Sequence, residues 1–555
     1  MKKRMGRSAV IILLPILLYG LVGPLEIYAS NTSEFNFEVK DFYPYFVAAS
    51  LLLLLIGTVI LTLIPQKVSK YFEGFIFGFS FLSYIQNMFL NRKLMNADGS
   101  QMDWEALKGY SIGNLIFWIV VYAAILFLPL YGKKVYEKIY LGVSAFLCIL
   151  QITAGVGLLI SALSVEMEEH YALSGEKQYQ AAAGKNTIIF ILDHYSNGVF
   201  DSCRQQYPEM EKSLKDFMYY NNAECHYSYT FPSLSHILTG AEVDCSQTPE
   251  QWKASCWQEE RCKAFYQTLR ENGYECNFYS DGGVYSVLGN VGYLKDSFQN
   301  VLETEPKTDR FLLVRLFEKM TIYRYVPYIL KPRFEVLTSI FQQASSYVVE
   351  NGVNYGNVAF YKGLQEQGIS INQDAENAFT VIHLEGLHGP RTTTAEAVYT
   401  DRGLYYDDEE PTPVETAKGL SIILNAYLQE LKEIGVYEDA TIIFTADHGD
   451  EEDPQPIFLI KEPGKQQDAM QVNSAPISLD DLQATVLELM GEDTSLYGSS
   501  IYQWQEDSVR SRESWFSADG FQIYTYETDR RELLQKIQDR DYTIEGIDTG
   551  WKHSW

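Results

Sequence analysis

The chain has 555 residues, 46% of them hydrophobic, and a formal net charge of −28 at pH 7. This length is too great for one small domain, and the acidic balance excludes the basic footprint by which proteins bind nucleic acids. We therefore expect no nucleic-acid partner, and the negative charge mainly predicts solubility of whatever part faces water.

Five apolar segments occupy the first 165 residues, each close to the ~20 residues that a bilayer core requires. They are Ala9–Ala29, Tyr45–Pro65, Gly74–Leu90, Ser111–Tyr131 and Tyr140–Leu163. After Val165 the sequence contains no comparable segment, so the remainder is predicted to be water-soluble. The sequence thus predicts an all-helical transmembrane domain over residues 1–165 and a linker over 166–184.

The basic residues of the short loops predict the orientation of these segments. With the N-terminus inside, nine lysines and arginines fall on the inner side and four on the outer side. Five spans then place the C-terminal part outside. If the first segment is instead a signal peptide, cleaved near Ala29, four spans remain and the C-terminal part still lies outside. Both alternatives predict a multi-pass cell-membrane protein with an extracellular domain.

Strand-like runs alternate with helical stretches from Lys185 onward, which is typical of an α/β fold with a mostly parallel central sheet. The predicted strands are Thr187–Asp193, Phe217–Ala223, Tyr274–Ser280, Thr380–Glu385, Thr441–Ala446 and Pro456–Ile460. The clearest predicted helices are Cys262–Asn272 and Pro413–Ile434. This pattern predicts one domain over residues 185–493 and a small C-terminal subdomain over 494–555, where the apolar periodicity fades.

Two features of the soluble part leave alternatives open. Six cysteines lie between Cys203 and Cys276 and favour structural disulfides, with neither pairing nor oxidation state determined. The segment Arg310–Phe334 interleaves basic and apolar residues. It favours an ordinary amphipathic surface helix broken at Pro327 and Pro332, with a segment lying on anionic headgroups as the alternative.

Metal-type ligands stand at the ends of two predicted strands, where open α/β sheets place their sites. Asp193 ends the first strand, and Asp447 and His448 follow the strand Thr441–Ala446. Thr230 begins a predicted short helix, and a helix N-terminus suits a tetrahedral anion. Taken alone, Thr230 is more simply a helix cap. Together with the other three side chains it predicts a hydroxyl made nucleophilic by one divalent cation.

These residues in combination resemble the alkaline phosphatase superfamily, specifically its sulfatase-like branch. Sulfatases carry Cys-x-Pro-x-Arg, then four residues, then Thr-Gly. Here residues 230–234 read Thr-Phe-Pro-Ser-Leu and residues 239–240 read Thr-Gly, with the same spacing. Asp193 and the triplet 447–449, Asp-His-Gly, stand where that family keeps metal ligands. The resemblance covers roughly residues 186–491 and implies an α/β sulfatase-like sandwich.

Two departures from the sulfatase pattern point to a sub-branch. Thr230 cannot become the formylglycine that sulfatases make from Cys or Ser, and Leu234 replaces the arginine that accompanies it. A threonine after five spans is similar to lipoteichoic acid synthases and lipid A phosphoethanolamine transferases. The resemblance implies that Thr230 takes a phosphoglycerol or phosphoethanolamine group from a membrane phospholipid. The resulting phosphothreonine would pass the group to a cell-envelope glycan or lipid.

The same resemblance implies one Mn²⁺ or Zn²⁺ bound by Asp193, Thr230, Asp447 and His448. Those transferases usually have Glu where this chain has Asp193, which is shorter. The segment 382–390 resembles their His-Gly-Pro motif, so His388 would bind a phosphoryl oxygen or protonate the leaving alcohol. Weaker candidates are His194 as an alternate or outer-shell ligand, Arg391 as a phosphate partner, and His236 and His383 as packing residues.

Two other functions compete with phosphotransfer. The first is hydrolysis at the same site, by a phosphodiesterase, phosphatase or sulfuric ester hydrolase, because residue types do not separate water from another acceptor. The second is a non-catalytic module that only binds a ligand, which the joint presence of all four metal-type side chains disfavours.

Overall fold

The computed structural model describes residues 2–548 except 33–34, 93, 95–101, 103, 166, 168, 282–289, 337–338, 348, 350, 403–409, 451–452, 518–520 and 528–546. Within these residues the α-helices are α1 (Lys2–Ile16), α2 (Gly23–Ala29), α3 (Tyr43–Leu63), α4 (Gln66–Ile85), α5 (Lys108–Phe127), α6 (Lys133–Leu163), α7 (Asn197–Gln206), α8 (Thr230–Thr239), α9 (Pro249–Ser255), α10 (Glu260–Glu271), α11 (Arg310–Tyr325), α12 (Ser339–Ala344), α13 (Asn357–Gln367), α14 (Pro413–Glu433) and α15 (Leu482–Met490). The strands are β1 (Tyr171–Leu173), β2 (Gln180–Ala182), β3 (Asn186–Leu192), β4 (Met218–Tyr220), β5 (Tyr274–Tyr279), β6 (Val301–Glu303), β7 (Pro306–Thr308), β8 (Ser345–Tyr347), β9 (Ser370–Asn372), β10 (Asn377–Leu384), β11 (Thr441–Thr445), β12 (Phe458–Lys461), β13 (Gln471–Asn473), β14 (Ser511–Ser517), β15 (Phe521–Glu527) and β16 (Ile547–Asp548).

The chain forms two compact units. We call the first the helical unit, which contains Met1–Glu168 and Glu305–Val348, and the second the α/β unit, which contains Glu169–Thr304 and Val349–Trp555. These boundaries differ from the predicted ones in two places. The predicted linker over 166–184 contains β1 and β2. The insertion Glu305–Val348, expected inside the soluble domain, groups with the apolar N-terminal helices.

Four helices in the described part of the helical unit are long and apolar enough to cross a membrane. They are Lys2–Ala29, Tyr43–Leu63, Lys108–Tyr131 and Lys133–Leu163. The first is continuous because a π-helical stretch, Leu17–Val22, joins α1 to α2. The third predicted span lies on α4 and the π-turn after it, but the N-terminal half of α4 carries Lys67, Lys70 and Glu73. The total of five spans therefore stays a prediction.

The basic and apolar segment at 310–334 forms α11 and, after Pro327, the 3₁₀ helix Tyr328–Arg333. Several of its apolar side chains, Leu313, Leu316 and Phe317 among them, are buried within the helical unit, where the rings of Phe317 and Phe42 stack with centroids 4.0 Å apart. Near the end of α11, Arg324 donates to the Glu26 carboxylate at 2.7 Å. This insertion is therefore packed against its unit along one side, unlike an isolated surface helix.

The α/β unit is built on a seven-stranded sheet with the order β13-β4-β12-β11-β3-β10-β5. The strands β11, β3, β10 and β5 are parallel to one another, and β12 is antiparallel to both of its neighbours. All seven residues of β3 are buried, which accounts for its continuous apolar sequence. Ile189 and Ile191 pack with α8, α10 and α15 on one face, and Phe190 packs with α7, α13 and α14 on the other. The result is an α/β/α sandwich.

The cysteines of the α/β unit do not form the predicted staples. Five of them are buried as free thiols: Cys203, Cys225, Cys256, Cys262 and Cys276; Cys245 is exposed. Burial raises the pKa of Cys203 to about 11, which is characteristic of an unreactive core thiol. These five side chains pack as small apolar groups, so the preference for disulfides was wrong for them.

Three antiparallel strands, β14, β15 and β16, form a separate sheet near the C-terminus. Residues 518–520, 528–546 and 549–555 of the predicted subdomain lie outside the described residues. The start of β14 is attached to the rest of the unit by two ion pairs. Arg510 binds the Asp481 carboxylate with both terminal nitrogens, at 2.6 and 2.9 Å. Arg512 donates to Glu224 at 2.8 Å, and both of these side chains are buried.

Candidate active site

The two acidic residues of the predicted site meet because their strands are neighbours. In the parallel pair β3 and β11, Thr441 lies opposite Thr187 and Thr445 opposite Ile191. Asp193 directly follows β3 and Asp447 follows β11 by two residues, so both stand at the same level of the sheet edge. Both carboxylates are buried, with Asp447 fully inaccessible to solvent.

Thr230 lies at the start of α8 and directs its hydroxyl towards these residues. Its Oγ1 is 3.5 Å from each carboxylate oxygen of Asp193 and 3.3 Å from Nε2 of His448. The next residue, Phe231, has non-helical backbone angles, which sets Thr230 apart from the regular helix behind it. The hydroxyl is therefore part of the polar cluster, and this position argues against the simple capping role.

His448 and Asp447 are held in fixed orientations by the backbone. Nδ1 of His448 lies 2.6 Å from the carbonyl oxygen of Gly449, which can only accept, so Nδ1 carries the proton and Nε2 presents a lone pair. That Nε2 is 3.8 Å from Asp193 Oδ1 and 3.5 Å from Asp447 Oδ2. Oδ1 of Asp447 accepts the backbone N–H groups of His194 and His448. Its Oδ2 is buried and accepts no hydrogen bond.

The electrostatics of the cluster call for a positive charge. Burial raises the pKa of Asp193, and the neighbouring Asp447 carboxylate raises it further. Burial by itself would also raise the pKa of Asp447, but His448 and His383 outweigh it and lower that pKa. Two carboxylates, a hydroxyl and an imidazole lone pair are a donor set that suits Mn²⁺ or Zn²⁺. The unpartnered buried oxygen of Asp447 is the observation that fits such an ion best.

Two further histidines face the cluster. His194 has a positive φ of 64° at the end of β3, and its buried Nδ1 has no hydrogen-bond partner. His383 on β10 contacts Ser280 Oγ through Nδ1 at 2.8 Å, while its Nε2 lies 3.9 Å from Asp193 Oδ2. Burial lowers the pKa of each to about 4, so both are neutral near pH 7. Each completes a three-residue group with ligand atoms within 4.8 Å of one another.

The loop after β10 is held against Asp193. Leu387 N donates to Asp193 O at 2.8 Å, and Gly386 adopts a φ of +55° between them. A Cβ at Gly386 would lie 2.2 Å from Asp193 O, so only glycine allows this approach. The loop then carries His388, which is exposed, with its ring centroid 6.2 Å from that of His194. His388 thus stands beside the cluster and outside its possible ligand groups.

The structure therefore brings Asp193, Thr230, Asp447 and His448 together and leaves His388 at the rim. That these residues bind a metal and react stays a prediction. Arg391 does not contact the cluster. Its guanidinium and its backbone N–H both donate to the Glu410 carboxylate. His383 was assigned to packing; its position beside Asp193 depends on β10 lying next to β3, a neighbour relation that the sequence does not show.

A family model described as Sulfatase matches residues 185–492. The chain belongs to the sulfatase family. The predicted recognition, the α/β sulfatase-like fold behind a helical N-terminal region, and the assignment as a sulfatase-like enzyme are thereby confirmed. The cluster lies within the matched region, with Thr230 and Leu234 at the positions of the cysteine and arginine of the sulfatase pattern.

Several solved structures are similar to this chain. A protein of the alkaline phosphatase superfamily from Vibrio parahaemolyticus is 12% identical, with 67% of this chain and 90% of that chain covered and a TM-score of 0.36. The lipoteichoic acid synthase LtaP from Listeria monocytogenes is 14% identical over 68% and 97%, with a TM-score of 0.35. The periplasmic domain of EptC from Escherichia coli is 12% identical over 60% and 92%, with a TM-score of 0.33. No curated protein matches the chain.

Proposed function

We propose that this sulfatase-family protein is a membrane-anchored, metal-dependent phosphotransferase. It would move the phospho-headgroup of a membrane phospholipid, phosphoglycerol or phosphoethanolamine, to a hydroxyl of an extracellular glycan or lipid. The observation that carries the proposal is the Thr230 hydroxyl, 3.3 Å from His448 Nε2 and 3.5 Å from both Asp193 oxygens. A threonine there supports direct phosphoryl chemistry, because it cannot supply the aldehyde of a sulfatase.

The reaction would proceed in two displacements at phosphorus. Thr230 Oγ1 attacks the phosphorus of the phospholipid, its proton passes to water, and the bond between phosphorus and the diacylglycerol oxygen breaks. The diacylglycerol oxygen takes up a proton and leaves. An acceptor hydroxyl then attacks the phosphothreonine, the Thr230–phosphorus bond breaks, and the threonine hydroxyl is restored. Each step exchanges one P–O bond for another, so no oxidant or reductant is required.

The side chains of the cluster have separate parts in this chemistry. Asp193, Thr230, Asp447 and His448 would hold one Mn²⁺ or Zn²⁺, which favours the threonine alkoxide and offsets charge on the phosphoryl oxygens. The N-terminus of α8 would place its partial positive charge next to the same phosphoryl group. His388 is exposed beside the cluster, where it is accessible to a substrate, and would donate a hydrogen bond or a proton to the leaving oxygen.

The proposed substrate and location rest on the combination of site and membrane helices. Four helices are long and apolar enough to span a bilayer, and they would hold the chain where phospholipid headgroups are concentrated. The basic residues of the loops favour an external α/β unit, so acceptors would be glycans or lipids of the cell envelope.

The decisive experiment is the intact mass of the full-length protein in detergent after incubation with single phospholipids of defined headgroup. We expect a mass increment equal to phosphoglycerol or phosphoethanolamine with one of them. The increment should disappear in Thr230→Ala and persist in the matched variant Thr230→Ser, which keeps a hydroxyl. Lipid turnover by the wild type without any increment, or an increment retained by Thr230→Ala, would refute the covalent route.

Product analysis distinguishes the competing functions. Release of the free headgroup phosphate in the presence of glycan and lipid acceptors would indicate a hydrolase, whereas a labelled acceptor would establish transfer. A protein that binds a divalent metal and a phospholipid but turns over neither phosphate nor sulfate esters would be the non-catalytic module. Each outcome is read from the same incubation by mass spectrometry of protein and lipid fractions.

A further inference from the structure

A second cluster of metal-type ligands lies in the α/β unit apart from the active site. His226, His236 and Asp480 place one ligand atom each within 4.8 Å of the others. His236 belongs to α8, six residues after Thr230, and Asp480 lies in the 3₁₀ turn that precedes α15. Glu513 on β14 approaches the cluster from the C-terminal sheet. Four separate parts of the chain therefore converge here.

His236 is oriented as a ligand. Its Nδ1 is 2.8 Å from the carbonyl oxygen of Ala241, an acceptor only, so this nitrogen donates its proton. In the neutral ring Nε2 then carries a lone pair, and it faces Oδ1 of Asp480 at 2.8 Å. A lone pair that faces a carboxylate oxygen requires a cation between or beside them. The cation is either a proton on the ring or a metal ion.

His226 repeats the same arrangement with the opposite ring nitrogen. Its Nε2 lies 3.4 Å from Oε1 of Glu513, and its Nδ1 lies 3.9 Å from Oδ2 of Asp480. The latter distance is too long for a hydrogen bond. Two ligands at ~2.0–2.1 Å from one tetrahedral ion stand about 3.3 Å apart, which lies between the 2.8 and 3.9 Å that separate His236 and His226 from Asp480. In each imidazole, one nitrogen thus faces an acceptor oxygen of Ala241 or Glu513 and the other faces the Asp480 carboxylate.

We propose that His226 Nδ1, His236 Nε2 and the Asp480 carboxylate form a second divalent-metal site, suited to Zn²⁺. The Ala241 carbonyl and the Glu513 carboxylate hold the two outer ring nitrogens, as acceptors behind zinc-bound histidines commonly do. Three protein ligands leave a fourth position for water. The inference does not depend on the proposed function, and its failure would leave the Thr230 labelling result unaffected.

The location of the site assigns it a structural role. It joins α8, which begins with the candidate nucleophile, to the turn at Asp480 and to β14. The ion pairs of Arg510 with Asp481 and of Arg512 with Glu224 lie in the same region, because both arginines precede Glu513 by at most three residues and Asp481 directly follows Asp480. A metal there would fix the start of the C-terminal sheet and the end of α8 at once. Its occupancy would therefore be read in stability and metal content as well as in activity.

The competing explanation is a cluster without metal, in which protonated histidines form ion pairs with the two carboxylates. Burial lowers the pKa of His226, but the neighbouring Asp480 and Glu513 outweigh burial and raise it to about 9. With both rings protonated, the cluster would consist of His226 and His236 as cations against Asp480 and Glu513. It would then need no metal. The two explanations differ in whether zinc is bound and in what stabilises the folded protein.

Zinc content measured in an active-site variant separates them. Full-length Asp447→Asn protein in detergent is stripped with a chelator, reloaded with Zn²⁺, separated from free metal by gel filtration and analysed by mass spectrometry for zinc per chain. We expect about one zinc per chain and a zinc-dependent rise in Tm. Both should be lost when Asp480→Asn is added. Glu513→Gln in the same background should lower the affinity for zinc about 10–100-fold without abolishing binding, because Glu513 contacts a ligand and not the metal.

A second variant protects the test from misfolding. If Asp480→Asn does not fold, His226→Gln, at a side chain that is 10% exposed, removes one ligand with less disturbance. Cobalt substitution then reports ligand number and geometry through its visible spectrum. Absence of zinc in the Asp447→Asn protein, or equal zinc and equal Tm gain with and without Asp480→Asn, would overturn the proposal. A metal-independent stability that falls as pH rises from about 6.5 to 9 would then identify the protonated ion-pair cluster.

Discussion

Replacing Asp447 with asparagine separates the charge of the candidate active site from its shape. The amide oxygen of Asn can still accept the backbone N–H groups of His194 and His448, which lie 3.2 and 2.9 Å from Oδ1. The amide nitrogen takes the place of Oδ2, which accepts no hydrogen bond in the cluster. The variant therefore keeps its local hydrogen bonds and loses one negative charge beside Asp193.

The magnitude follows from the distance between the two carboxylates. Asp193 and Asp447 each place an oxygen within 4.8 Å of the other. At that separation and an effective dielectric constant of about 20, two unit charges repel by about 3 kcal/mol. In protein stripped of metal, this repulsion is relieved in part by protonation of Asp193, whose pKa is raised by burial and by Asp447. We therefore expect Asp447→Asn to stabilise the metal-free protein by up to about 3 kcal/mol.

The assay compares thermal unfolding of chelator-treated wild type and chelator-treated Asp447→Asn, each in the same detergent. The variant should unfold a few degrees higher, although it binds at least one metal ion fewer when metal is restored. The same comparison for Asp193→Asn should give a gain of the same sign, because either carboxylate relieves the other. A variant that unfolds below the metal-free wild type, or that retains full metal content, would refute the idea that these two carboxylates share a cation.

Three further predictions concern other groups. Metal should leave the active site as pH falls, and the loss should begin above pH 3.8 because the pKa of Asp193 is raised. Metal content after dialysis at graded pH measures this loss, and full retention below pH 4 would contradict the prediction. His388→Gln should lower turnover about 10²–10⁴-fold with metal content unchanged, since this exposed side chain lies outside the ligand groups; a loss of metal in parallel would show a ligand role instead. Arg512→Met should lower the free energy of unfolding by about 3–5 kcal/mol, because it leaves the buried Glu224 carboxylate without its arginine. The double variant Arg512→Met with Glu224→Leu should recover most of that loss. Equal destabilisation by the single and double variants in denaturant titrations would argue that packing, not charge, is lost.

The central sheet could be predicted from the sequence because its strands are buried on both faces. β3 and β11 are continuous apolar runs bounded by polar residues, and their ends were predicted to within a residue or two. An acid at the end of such a run must lie at the sheet edge, whichever strands are neighbours. Thr230 could be placed near that edge only through the sulfatase-like spacing of its segment. The convergence of these side chains could therefore be predicted from local sequence patterns alone, without knowledge of the strand order.

The positions that could not be predicted depend on contacts between distant parts of the chain. His383 is an ordinary strand residue until β10 is placed beside β3, which brings its Nε2 to 3.9 Å from Asp193. His226 and Asp480 are 254 residues apart in sequence, and neither has metal-ligand spacing with a neighbour. No periodicity reports such pairs, since the relevant distance is set by how α8, the turn before α15 and β14 pack.

The insertion Glu305–Val348 shows the same limit at the level of domains. Its sequence correctly indicates a helix, but the pattern of basic and apolar residues does not say which surface covers the buried side of that helix. Phe317 and Leu313 are buried against residues such as Phe42 that belong to the N-terminal part of the chain. The chain enters the α/β unit after the N-terminal helices, leaves it at the insertion and enters it again afterwards, so it passes between the two units three times. The folding of the insertion is thereby coupled to the apolar helices, although its sequence lies within the stretch that matches the sulfatase family.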